Sequence, residues 1–192
     1  GVLLGLLTLL LTAGWWRTQQ TLALRWQLPA VSIAVSADPA EIARGEHLAH
    51  TRGCSGCHGE TLAGAHMIDA GPVMQIYAPN LTRDGVLPQV DITAFEHAVR
   101  HGVGRSGQPL LIMPAGDYSL LSNQDLAALY AYLHSVPAQP DAQPPNVIGP
   151  LGQVLHLFGA LPFAAAVEID PARASRGDAA PPPEQLEAWG GY

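Results

Sequence analysis

The only two cysteines of this 192-residue chain stand three positions apart, in Cys54-Ser55-Gly56-Cys57-His58. No other feature restricts its fold as much. Two thiols at this spacing reach the two vinyl groups of one porphyrin, and the adjacent His58 places an imidazole under the iron. A Cys54–Cys57 disulfide would make the pair a redox motif, but no thioredoxin-like βαβ pattern surrounds it. Zinc would need a second ligand pair, and there is no second Cys pair. The motif therefore predicts a single, covalently attached haem c. Composition agrees: aromatics make up only 6% of the chain, and three of the four Trp (Trp15, Trp16, Trp26) precede residue 27, so the core needs filling by something else.

A haem iron held by His58 calls for a sixth ligand, and a thioether sulfur there raises the potential and favours electron transfer. Three Met are available. Met67 and Met74 follow His58 by only nine and sixteen residues, too soon for a chain that must still travel around the ring edge. Met113 comes 55 residues later, in Leu110-Leu111-Ile112-Met113-Pro114. Pro114 restricts the residue before it to extended backbone, which suits a ligand held on a loop. His66 and His101 are the bis-His alternatives.

Around the motif the pattern is helical and loop-rich, with no convincing alternating strand. Asp38 and Pro39 open a helix running to Thr51. Asp91 caps a second over 92–101, stopped by Gly102, with Ile92, Phe95 and Val99 on one face. Ser122-x-x-Asp125 is a capping box for a third, whose stripe is Leu126, Leu129, Tyr130 and Leu133, stopped by Pro137. Gly45 and Ala49 make a small patch, which lets the last helix cross the first closely through Leu129, Tyr130 and Leu133.

Residues 1–16 carry no charge and are mostly Leu. As a helix they would span roughly 24 Å, slightly short of the roughly 30 Å of a bilayer's hydrocarbon core. Trp15, Trp16 and Arg17 read as an interfacial belt, so residues 1–17 are predicted to be a retained membrane anchor in contact with lipid. A linker (18–37), the haem domain (38–137) and a Pro-rich tail (138–192) follow. Within the tail, Leu151, Val154, Leu155, Leu157 and Phe158 are too many apolar side chains to leave exposed, so 147–167 is expected to be buried against another subunit or domain.

The charge balance excludes some partners. All nine basic residues are Arg, against sixteen acids, for a net charge of −7, and the haem domain alone carries ten acids against five Arg. Nucleic acid is therefore not a partner of this chain. The domain also lacks the basic ring that steers a soluble carrier to an acidic oxidase patch, which favours a stable complex.

Residues 38–137 resemble a class I c-type cytochrome domain. They are similar to the repeated domains in the cytochrome subunits of bacterial membrane-bound alcohol, aldehyde and sugar-acid dehydrogenases. The resemblance is carried by Arg44-Gly45, the haem motif, Tyr77-Ala78-Pro79-Asn80-Leu81-Thr82, Arg100-His101-Gly102-Val103-Gly104, Met113-Pro114-Ala115, Tyr118 and the 121–133 helix. It implies an all-α fold of about three main helices around the haem. It also implies that Pro79 packs near His58, and that Asn80 and Arg100 reach the haem propionates, although Arg100 read alone could equally be a solvated surface charge. Those subunits string several haem domains together and attach to the membrane near the C-terminus, whereas here the apolar segment is N-terminal.

The function expected is single-electron transfer by a periplasmic domain tethered to the inner membrane, non-enzymatic on its own and serving as a subunit of a dehydrogenase or respiratory complex. The alternatives are a tethered carrier feeding a terminal oxidase, and a haem sensor or peroxidase whose Met dissociates. Ala188-Trp189-Gly190-Gly191-Tyr192 echoes Ala43-Arg44-Gly45-Glu46-His47, which suggests that a second haem domain follows. The absence of an initiating Met likewise suggests a longer product.

Overall fold

The computed structural model describes residues 1–140, 142–170 and 179. The chain begins with a long helix, α1 (Val2–Ala23), and then runs extended to α2 (Pro39–Thr51) and the short α3 (Cys54–His58). A hairpin follows, β1 (Ala65–Asp69) and β2 (Met74–Ala78), and then α4 (Ile92–His101), α5 (Ala115–Tyr118) and α6 (Asn123–Ser135). Beyond these lie β3 (Val147–Ile148) and α7 (Pro150–Leu157).

The three expected helices form where their caps direct. Asp38 accepts from the Ala40 N–H, Asp91 from that of Ala94, and Ser122 from that of Asp125, each satisfying a donor the first helical turn leaves open. Gly102, in the left-handed region, ends α4. α2 crosses α6 so closely that a β-carbon at Gly45 would run into the Ala128 carbonyl and the Tyr132 side chain. The small patch thus works as expected, although Gly45 itself faces Ala128 and Tyr132 rather than Leu129, Tyr130 and Leu133. Arg44 and Asp125 pair across the same crossing. Ala49, Phe95, Val99, Leu126, Leu129 and Leu133 are among the buried residues of the resulting core.

An all-α fold is not what forms. The molecule is mostly helical, but β1, β2 and β3 make an antiparallel sheet in that order. Each hairpin strand is only five residues long, and Met74, Ile76 and Ala78 alternate inward on β2 alone, which is too short a run to stand out as a period of two. The tail is buried against a domain of this same chain: β3 pairs with β2, α7 packs against α1, and Phe163 is 1% exposed in a second core with Met74, Ile76 and Ile148. Leu151, Phe158 and Val167 remain exposed.

The expected anchor is part of a longer helix. α1 continues past Trp16 through Arg17, Gln19 and Gln20, and its buried residues Gly14, Thr18 and Thr21 share the face against α7. No helix among the described residues is long and apolar enough to cross a membrane. The linker packs on the haem domain. Trp26 N–H donates to the Gly107 carbonyl (2.9 Å), His97 Nε2 to that of Pro29 (2.9 Å), and Ile33 packs on the first core, so 24–37 is laid along α4 and the 104–107 loop. The echo at 188–192 falls outside the described residues.

Candidate functional site

Between the two cores lies a cavity of about 520 Å³, in the size range of small-molecule and cofactor sites. Cys54, Cys57, His58, Pro79 and Met113 all line it. α3 presents the first three from little more than one helical turn. Gly53 and Gly59 each take φ +80°, so the chain turns sharply into and out of that turn, a conformation costly for any residue with a β-carbon.

His58 is oriented by its other nitrogen. Its Nδ1–H donates to the Pro79 carbonyl at 2.8 Å, which assigns the proton to Nδ1 and leaves the Nε2 lone pair for a metal. Burial holds this imidazole below the usual His range, against the opposing pull of the Pro79 carbonyl, and so favours the neutral, ligating form. The Cys54 thiol is pushed up to about 11 by burial, so at neutral pH the free thiol stays protonated. Among the described residues no three His, Cys, Asp or Glu side chains cluster as a metal site would require. Two thiols, one tautomer-locked imidazole and a thioether around an apolar void suit a haem and do not suit zinc.

Met113 is held from both sides. After it, α5 leads to Tyr118, whose hydroxyl donates to the Arg52 carbonyl at 2.7 Å, two residues before Cys54. Burial raises the Tyr118 phenol to about 12, so it stays protonated and keeps that bond at any physiological pH. Before Met113 sits Ile112 at φ +60°, a left-handed conformation that is an outlier for a β-branched residue.

The structure sorts the other candidates. Neither His66 nor His101 lines the cavity. His66 stacks on Tyr77 with ring centroids 4.3 Å apart, and His101 is turned to Glu96 at 3.3 Å. Met74 is buried in the second core, whereas Met67, passed over on spacing, does reach the cavity wall.

Asn80 and Arg100, expected at the propionates, do not line the cavity and have partners elsewhere. Asn80 is buried and braces a turn, its side chain accepting from Thr82 N–H (2.8 Å) and donating to the Gln139 carbonyl (2.6 Å). Arg100 is 2% exposed, so it is no solvated surface charge either. It binds Glu96 at 3.2 Å, Asn123 at 3.0 Å and the Leu121 carbonyl, tying α4 to the start of α6. The Arg side chains that do line the cavity are Arg52 and Arg105, neither of which stands in a position the sequence pattern singled out.

A mostly helical domain with Cys-x-x-Cys-His on a tight turn and a Met loop sharing its cavity defines a c-type cytochrome domain. Residues 40–133 match the family described as cytochrome C oxidase, cbb3-type, subunit III, and a cytochrome c domain of this kind carries covalently bound haem c. The chain is 34% identical over 166 residues to the alcohol dehydrogenase (quinone) cytochrome c subunit of Gluconacetobacter polyoxogenes, an alignment covering 78% of this chain and 35% of that protein. It is 39% identical over 108 residues to the gluconate 2-dehydrogenase cytochrome c subunit of Pantoea cypripedii, covering 52% of this chain and 24% of that protein. With the fructose dehydrogenase cytochrome subunit of Gluconobacter japonicus it shares 30% over 152 residues, covering 74% and 31%. The chain thus spans about a third or less of the length of these relatives.

Proposed function

We propose that this domain passes single electrons as the cytochrome part of a dehydrogenase complex, with haem c joined to Cys54 and Cys57 and ligated by His58 and Met113. The observation that carries the reading is the single apolar cavity into which those four side chains converge. The haem, when bound, supplies an iron that takes up and returns one electron, and nothing else is chemically transformed. His58 contributes a neutral imidazole steered by the Pro79 carbonyl. Met113 contributes a soft sulfur that favours the reduced state. Apolar walls, including Phe95, Val99, Leu129 and Leu133, keep water from the ring. Arg52 and Arg105 replace Asn80 and Arg100 as the candidate carboxylate partners.

The kinship with cytochrome subunits of dehydrogenases and the acidic haem domain together favour a stable dehydrogenase partner over a carrier that relies on long-range attraction. Residues 1–16 serve as the lipid-facing part of α1, holding the domain on the periplasmic side of the inner membrane, where haem c is attached. The uncharged stretch of 16 residues, ending in Trp15 and Trp16 and followed by Arg17, supports this.

Substitution tests the ligand assignment. Met113→Ala should abolish the sulfur-to-iron(III) charge-transfer band and lower the reduction potential by on the order of 0.1 V or more. Met67→Leu should leave both in place. Loss of the band in the Met67 variant alone would transfer the role to Met67. Co-purification from the native membrane should bring down a dehydrogenase's catalytic subunit, and recovery of an oxidase instead would overturn the partner assignment.

A further inference from the structure

Phe163 lies thirty residues beyond the end of the family-matched stretch, yet it meets the chain next to Met113. Its backbone carbonyl accepts from the Ile112 N–H at 2.8 Å. Its ring is 1% exposed, set among Met74, Ile76 and Ile148, with Leu111 and Ile112 packed on the same cluster. The His156 ring lies against it, centroids 4.3 Å apart. His156 is itself fixed, Nδ1 donating to the Leu161 carbonyl (3.1 Å) and Nε2 meeting Thr21 Oγ1 on α1 (2.9 Å).

Ile112 is the residue this contact restrains, and it is the strained one. A β-branched residue at φ +60° persists only where its surroundings over-determine it. The Phe163 carbonyl and the second core supply that determination. If they let go, Ile112 can return to negative φ, and because it directly precedes Met113 the rotation carries Met113 with it.

We propose that the 156–164 segment is an internal latch for the sixth-ligand loop, with Phe163 as the positioning residue that keeps Met113 in the cavity. This rests on the reading of Met113 as the sixth ligand. No residue of the 156–164 segment lines the haem cavity, and its hydrogen bond toward the Met113 loop is made at Ile112.

The test uses the haem-loaded full chain and imidazole as the probe, because imidazole can take the sixth position only when Met113 has left it. Its apparent affinity therefore reports the fraction of molecules with the loop released. Phe163→Ala should weaken the sulfur-to-iron(III) band and tighten imidazole binding about tenfold or more, at temperatures well below unfolding. Phe163→Leu, which refills most of the space, should recover most of the band. Met113→Ala, run in parallel, separates the two claims: if it keeps the band, the ligand assignment falls and the latch with it. If Met113→Ala loses the band while Phe163→Ala keeps both band and imidazole affinity unchanged, only the latch is overturned. Should Phe163→Ala fail to fold, His156→Ala is read by the same criteria, tighter imidazole binding supporting the latch and unchanged binding overturning it.

Discussion

The two cores of this molecule flank one cavity and are assembled in different ways. The first is made by α2, α4 and α6, each 10–13 residues long, capped and carrying its own apolar face. The second gathers Leu22, Met67, Met74, Ile76, Ile112, Ile148 and Phe163, drawn from the end of α1, the hairpin, the Met113 loop and the tail. Each helix of the first core announces its partner-facing side locally, whereas the second takes one residue from the end of α1 and the rest from short strands and loops. The first core holds the motif end of the site and the second holds the approach to Met113.

Breaking the ion network of the first core should have the largest effect. Glu96 is buried and meets Arg100 at 3.2 Å and His101 at 3.3 Å. Glu96→Ala leaves Arg100 buried with its charge uncompensated, and should cost about 3–5 kcal/mol in chemical denaturation. Burial alone would raise the Glu96 carboxyl, but the hydrogen bonds and charges of His101 and Arg100 outweigh it and hold the carboxyl below its usual 4.5. A carboxyl depressed in the folded state stabilises above its unfolded value, and that contribution is lost as pH falls through the folded value. Stability of the unaltered protein should therefore decline below about pH 4.5, and Glu96→Gln should flatten this part of the decline.

Gly45→Ala probes the same core by overpacking. The added carbon meets the Ala128 carbonyl, so α2 and α6 must separate. The cost should be about 1–3 kcal/mol, reduced by the better helix propensity of Ala, and thermal melting would show it. Gly152→Ala is the matching change in the second core, since its β-carbon would run into the Val73 carbonyl. Its effect on global stability should be smaller, about 1 kcal/mol, because short surface elements can shift. Hydrogen exchange should nevertheless quicken at Ile112 while α2 and α6 stay protected. Equal losses of protection in both cores would mean that they unfold as one unit.

How much was legible follows from the same contrast. The caps Asp38, Asp91 and Ser122, the stop at Gly102 and the close approach at Gly45 are local signals, and the structure follows them. Cys54, Cys57 and His58 lie within five consecutive residues, and Pro79 and Met113 join them in the cavity. The hairpin escaped because its alternation is five residues long, and the tail because its apolar content says that it is buried but not where. Arg100 could be read either way from sequence: an Arg beside a haem domain's Gly-rich turn is as apt for a buried carboxylate as for a propionate, and Glu96, one helical turn away, pairs with it. Met67 follows His58 by only nine residues, yet a tight hairpin returns it to the cavity wall.

The account stands on covalent attachment at one motif. Its most direct test is the intact mass of the full chain, made in cells equipped to attach haem c and then denatured in acid. One haem should remain on the chain through denaturation, and replacing both Cys54 and Cys57 with Ser should remove it. A chain that runs at its bare polypeptide mass, or a double variant that still retains haem, would contradict the account.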